Sequence, residues 1–83
     1  MLNIKVVGTG CANCRRLESM CMEVVAEEGI EARIEKVTDI NAFAELGVML
    51  TPGLLIDDQL VSSGKIPTKA TLAFWLSEKA KSK

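Results

Sequence analysis

The chain has 83 residues, of which 48% are apolar and 25% are charged, and its net charge is −1. This length predicts one small domain over residues 1–83, and the apolar content predicts a core that folds without a disulfide or metal staple. The small charge and scattered basic residues argue against nucleic acid as a partner, and no apolar run approaches the length of a membrane span.

The N-terminal residues 1–7 show no charged leader, apolar segment or cleavage site of a signal peptide. We therefore expect a cytoplasmic protein without a membrane partner. Structural disulfides are rare in that compartment, so the three cysteines of the chain indicate catalysis or metal binding.

Seven elements are predicted from periodicity and turn signals. Leu2–Val7 is rich in β-forming residues and reads as the first strand. Apolar residues at spacings of three and four then predict a helix from near Ala12 to Glu28, which Gly29 ends. The later predictions are a strand over Ala32–Val37, a short helix capped by Thr38 or Asp39 and running through Leu46 to Gly47, a strand over Gly53–Ile56, a turn at Asp57-Asp58, a strand over Gln59–Ser63 and a helix after Thr68.

The predicted order is therefore β-α-β-α-β-β-α, an α/β fold. The first β-α-β unit requires parallel strands with a right-handed crossover, and the closing hairpin is antiparallel. Helices then cover a mixed four-stranded sheet. The loop after the first strand lies at the C-terminal edge of that strand, where open α/β sheets usually present their sites.

That loop carries the main chemical signal, because Cys11 and Cys14 lie three residues apart in it. Gly8 and Gly10 allow the chain to turn sharply. A helix that starts near Ala12 favours a thiolate on Cys11 through its N-terminal N–H groups and dipole.

Other residues of the loop support the same interpretation. Arg15 and Arg16 add cations one turn into the helix, and Ala12 and Asn13 separate the two thiols. The spacing predicts a redox-active Cys11–Cys14 disulfide that needs no cofactor.

Metal binding is the alternative interpretation of these cysteines. A structural zinc site needs four ligands, and the chain has no histidine. Cys21 is the third thiol, but it lies about 10 Å further along the same helix and is expected in the core. We therefore expect no metal ligand set.

Large apolar side chains are expected to fill the core of so small a domain. These are Phe74 and Trp75, together with Met20, Met22 and Met49 as packing residues.

Three segments together resemble the thioredoxin superfamily: Gly8-Thr9-Gly10-Cys11-Ala12-Asn13-Cys14, residues 47–57 around Thr51-Pro52, and residues 63–68. Within it, the chain is most similar to a small glutaredoxin-sized group, the redox-active disulfide protein 2 type. The resemblance implies that Cys11 is the exposed nucleophile and Cys14 the buried resolving thiol. It also implies a cis Pro52 beside the disulfide and a Thr51 backbone that pairs with substrate.

The resemblance further implies a thiol–disulfide oxidoreductase that reduces protein disulfides and receives electrons from a reductase. The segment Ser62-Ser63-Gly64 lacks the acidic residue with which glutaredoxins hold glutathione, so glutathione is not expected as the partner. We expect a monomer.

Two rival functions use the same residues. One is a heavy-metal-associated domain that carries Cu(I) between the two thiolates, although that fold ends on a strand. The other is an interaction module that keeps the fold without redox activity.

Overall fold

All seven predicted elements form in the protein. The computed structural model describes residues 2–8 and 12–81, with only the backbone of Ile40. In chain order the elements are β1 (Leu2–Val7), α1 (Ala12–Glu28), β2 (Ala32–Val37), α2 (Ile40–Glu45), β3 (Gly53–Ile56), β4 (Gln59–Ser63) and α3 (Lys69–Lys81). The predicted α/β fold is therefore confirmed.

The four strands form one mixed sheet in the order β2-β1-β3-β4. β1 and β2 are parallel, whereas β1 with β3 and β3 with β4 are antiparallel, as predicted. Val7 at the end of β1 pairs with Val37 at the end of β2 and with Gly53 at the start of β3. One edge of the sheet therefore brings together the end of β1, the end of β2 and the start of β3.

Local signals fix the ends of the helices. Gly29 and Gly47 adopt the left-handed conformation, with φ of 65° and 78°, and end α1 and α2 as predicted. After α2, the N–H of Val48 donates to the carbonyl oxygen of Phe43 at 2.9 Å, which completes a Schellman turn. Of the two capping residues considered, Asp39 is the N-cap of α2.

The core has two parts, one on each face of the sheet, because alternate strand residues point in opposite directions. Val6 lies in the larger cluster with buried residues of α1 and α3, whereas Val7 lies in a smaller cluster with Val48 and Leu55. Phe43 of α2 packs against the smaller cluster. The end of β1 is thus held from both faces, which gives the adjoining loop a rigid base.

The core prediction is wrong for Phe74, whose side chain is 62% exposed. Leu72 and Leu76 form the fully buried stripe of α3, and Phe74 lies two residues from each, on the opposite side of the helix. Trp75 is half-buried and packs against the larger cluster.

The packing prediction is also wrong for two methionines. Met22 is 51% exposed because it lies beside, and not on, the buried stripe of α1. Met49 is 92% exposed in the loop before β3. Met20 packs against the larger cluster as expected.

The order of elements also bears on the Cu(I) alternative. The heavy-metal-associated fold ends on a strand, whereas here α3 follows the β3–β4 hairpin. The order of the described elements therefore differs from that of the heavy-metal-associated fold. None of the helices in residues 12–81 is long and apolar enough to cross a membrane.

Candidate active site

Cys14 lies in the first turn of α1, directly beyond the end of β1. It begins the buried stripe that continues through Leu17, Cys21 and Val24, and only 5% of Cys14 is exposed. The stripe anchors α1 on the sheet, so the position of the Cys14 thiol is set by the packing of the whole helix. Cys11 and Gly10 lie outside the described residues.

Gly8 makes room for the Cys14 sulfur. A Cβ atom added at Gly8 would lie 2.1 Å from Cys14 Sγ and 3.3 Å from Cys14 Cβ, far inside van der Waals contact. The backbone of Gly8 is fixed as well, because its N–H donates to the carbonyl oxygen of Val37 at 2.9 Å.

The chain bends at Gly8, as expected, although Gly8 is not among the glycines with positive φ. What requires a glycine there is the close approach of the Cys14 thiol to the backbone.

Thr51 and Pro52 approach Gly8 and the Cys14 side chain from the β3 side of β1. The Thr51-Pro52 peptide bond is cis, which is the isomer that the resemblance implies. Thr51 Cβ would lie 3.8 Å from a Cβ on Gly8, which brings Thr51 close to the Cys14 side chain. Pro52 is buried and Thr51 is exposed, so the Thr51 side of this segment faces solvent next to the thiol.

Hydrogen bonds hold the segment before β3 against the start of the next loop. The Gly64 N–H donates to the carbonyl oxygen of Pro52 at 2.9 Å, and Ser63 Oγ donates to that of Leu50 at 3.0 Å. Gly64 also lacks the Cβ that would come within 2.8 Å of the Leu50 side chain. The exposed Thr51 is therefore presented by an anchored segment.

Three of the residues that were expected to support the cysteine pair lie on the exposed surface of the first turn of α1. Ala12, Asn13 and Arg15 are all exposed. This turn contains no acidic residue, so no side-chain carboxylate there opposes the positive end of the helix dipole.

A cavity of about 200 Å³ opens on the β2 side of Cys14. Its lining consists of Val6, Gly8, Cys14, Arg15, Lys36 and Thr38. Sequence reasoning did not connect Lys36 or Thr38 with the site. The signal was available, because both follow or end a strand that is parallel to β1, and such strand ends share one edge of the sheet.

Cys21 is a core residue, as predicted. Its side chain is fully buried in the larger cluster. Burial, and secondarily the negative charge of Glu18, raise the pKa of this thiol from 9.0 to about 12. Cys21 therefore stays protonated and unreactive near neutral pH.

Within residues 2–8 and 12–81 there is no cluster of three or more histidine, cysteine or carboxylate side chains arranged to hold a metal ion.

A mixed sheet that places a buried cysteine at the start of a helix, beside a Thr-Pro segment, defines a protein of the thioredoxin-like class. The sequence model of the Thioredoxin domain family matches residues 2–77. The chain therefore belongs to the thioredoxin family, and the predicted superfamily is confirmed.

Two curated relatives are similar over most of the chain. A protein named thioredoxin from Methanothermobacter thermautotrophicus is 39% identical over 77 residues, which cover 93% of this chain and all of the relative. Another thioredoxin, from Methanocaldococcus jannaschii, is 46% identical over 68 residues, 82% of this chain and 78% of the relative. Thioredoxins are thiol–disulfide oxidoreductases, and the predicted enzyme class is confirmed.

Proposed function

We propose that the chain reduces protein disulfides, with Cys11 as the attacking thiol and Cys14 as the resolving thiol. The observation that carries this assignment is the position of Cys14, which is 5% exposed and packed against the backbone at Gly8. A sulfur so placed is poorly accessible to a bulky protein disulfide. Cys14 is therefore suited to attack a neighbouring mixed disulfide and not an incoming substrate.

The assignment of the attacking thiol follows from its place in the sequence. Cys11 directly precedes Ala12, the first residue of α1. Unpaired N–H groups at a helix start, with no acidic residue in the first turn and a cation at Arg15, favour the thiolate over the thiol.

The proposed reaction has two exchange steps. The Cys11 thiolate attacks one sulfur of the substrate disulfide, and the other sulfur leaves as a thiolate that takes up a proton. Cys14, after losing its proton, attacks Cys11 Sγ and releases the second substrate thiol. Two electrons thus pass to the substrate, and the enzyme is left with a Cys11–Cys14 disulfide that an external dithiol or a reductase must reduce.

Thr51 supplies a candidate contact for the substrate. It is exposed, close to Cys14, and held by the anchored segment before β3. Its backbone groups are suited to pair with an extended substrate strand next to the reacting sulfurs. We also propose a cytoplasmic location, since a reducing compartment keeps such a dithiol ready to react.

Turnover by single-cysteine variants tests the proposal. Reduction of a disulfide-containing protein is followed with a small dithiol as electron donor. Cys11→Ser and Cys14→Ser should each lose catalytic turnover, whereas Cys21→Ala, the matched cysteine control, should retain it. Normal turnover by either of the first two variants would contradict the proposed pair.

The same preparations separate the rival functions. A redox-inactive interaction module would show no disulfide reduction by the wild type. A Cu(I) carrier would instead hold Cu(I) against a competing chelator through Cys11 and Cys14, again without disulfide reduction.

A further inference from the structure

We propose that the cavity beside Cys14 is a carboxylate-binding subsite, through which Arg15 and Lys36 make the enzyme prefer disulfides with an acidic group next to the reacting sulfur. The inference rests on the proposed disulfide reduction and adds a substrate preference to it.

The cavity lies where a group flanking the reacting disulfide would reach it. Cys14 lines it directly, and Lys36 and Thr38 border it from the end of β2. Thr51 approaches Gly8 from the β3 side, since the sheet order places β1 between β2 and β3. A substrate that pairs with Thr51 and reacts beside Cys14 therefore has its next group over the cavity.

The polar groups of the cavity suit an anion. Arg15 and Lys36 contribute two cations and Thr38 a hydroxyl donor, and no carboxylate lines it among the described residues. The first turn of α1 adds the positive end of its dipole. Val6 and Gly8 contribute apolar and backbone surface to its lining.

Both cations are available for a new partner. Arg15 is exposed and forms no ion pair within residues 2–8 and 12–81. The Lys36 ammonium is 3.7 Å from a Glu18 carboxylate oxygen; the Lys36 side chain is 55% exposed and the Glu18 side chain 18%. A contact of this length with a lysine that is more than half exposed is weak, so a substrate carboxylate can compete for Lys36.

Two kinds of substrate place a carboxylate close to a disulfide. One is a protein disulfide flanked by an acidic residue, and the other is a small disulfide that carries its own carboxylates. Neighbouring residues of an extended peptide are about 3.3 Å apart along the strand, so a group adjacent to the reacting cysteine is within reach of a cavity lined by Cys14.

The test compares two disulfide peptides that differ only by Glu or Gln next to the reacting cysteine. The wild type should show a kcat/KM for the Glu peptide roughly three- to tenfold higher, as expected for two partly exposed ion pairs. The preference should shrink as salt rises from about 0.05 M to about 0.5 M, because ions screen such pairs. The same comparison of kcat/KM between a small dicarboxylate disulfide and its diamide tests whether small disulfides also use the subsite.

Variants identify the residues responsible. Arg15→Gln and Lys36→Gln should each lower the preference, and the double variant should bring the ratio to about one. Arg16→Gln removes the same charge one residue away from the cavity lining, and Arg33→Gln removes a charge elsewhere on β2, so both should keep the wild-type ratio. Glu18→Gln should raise the ratio, since it frees Lys36.

Reduction of the Gln peptide separates a failure of the subsite from a failure of the proposed disulfide reductase. If the wild type reduces both peptides equally well, or if the ratio is unchanged in the double variant, the subsite is wrong while the disulfide reductase stands. If neither peptide is reduced, both the reductase and the subsite are wrong.

Discussion

Replacing Gly8 with alanine tests the close approach of the Cys14 thiol to the end of β1. The new Cβ would lie 2.1 Å from Cys14 Sγ. Non-bonded heavy atoms normally stay roughly 3.5–4 Å apart, so the sulfur or the backbone must shift by about 1.5 Å. Cys14 belongs to the buried stripe of α1, and that stripe resists such a shift.

The expected cost is that of overpacking a core, about 1–3 kcal/mol of unfolding free energy. In a domain of this size each kcal/mol lowers Tm by roughly 4–8 °C. A displacement of this order at a reacting atom also lowers turnover, by about 100-fold. Denaturant unfolding under reducing conditions and a disulfide-reduction assay measure the two effects.

A double-mutant cycle shows whether the sulfur is the cause. In a Cys14→Ala background the sulfur is gone and the tight remaining contact is Cys14 Cβ at 3.3 Å, which a small shift relieves. Gly8→Ala should then cost well under 1 kcal/mol, leaving a coupling free energy of about 1–2 kcal/mol. An equal loss of stability in both backgrounds would refute the proposed contact.

Four further predictions concern the thiols and a helix cap. Cys21→Ala should lose on the order of 1 kcal/mol of stability and keep activity, because Cys21 is fully buried; loss of activity in the folded variant would place Cys21 in the mechanism. Between about pH 9 and pH 12 the unfolded chain loses the Cys21 proton while the folded chain keeps it. The unfolding free energy of the wild type should therefore fall with rising pH more steeply than that of Cys21→Ala. Denaturant unfolding in the presence of reductant measures this difference. Asp39→Ala should cost about 1 kcal/mol in the same assay, since Asp39 accepts from the Asn41 N–H at 3.0 Å; an unchanged midpoint would mean that the cap contributes nothing. In the reduced protein, mass mapping should find Cys11 alkylated before Cys14, and the reverse order would exchange their proposed roles.

The elements whose ends depend on local chemistry were predictable from the sequence. Gly29 and Gly47 end their helices because a left-handed residue is needed there, and glycine adopts that conformation at little cost. The Asp57-Asp58 turn was also found, and both residues have positive φ. The parallel pairing of the first two strands followed from the crossover helix.

Side-chain burial was predicted wrongly for large apolar residues whose size suggested the core but whose position in the helical period did not. Phe74 lies opposite the Leu72–Leu76 stripe, and that spacing was present in the sequence. Met49 gave no such signal. It is exposed because the turn after α2 buries its neighbour Val48 instead, which only the tertiary structure reveals.

The candidate site was predictable in part. The sequence motif indicated Cys14 and the Thr-Pro segment, and the structure brings Thr51 close to Cys14 through β3. The motif alone did not indicate the cavity, because it contains no residue of β2. The predicted parallel pairing of β1 with β2 is what places Lys36 beside the thiol.

The central claim is that Cys11 attacks the substrate and Cys14 resolves the mixed disulfide. Its most direct measurement is the intact mass of each single-cysteine variant after mixing with a disulfide peptide, followed by peptide mapping. Cys14→Ser should carry one half of the peptide in disulfide linkage on Cys11, and Cys11→Ser should carry none. An adduct on Cys14 in Cys11→Ser, or an unmodified Cys14→Ser when the wild type reduces the peptide, would contradict the claim.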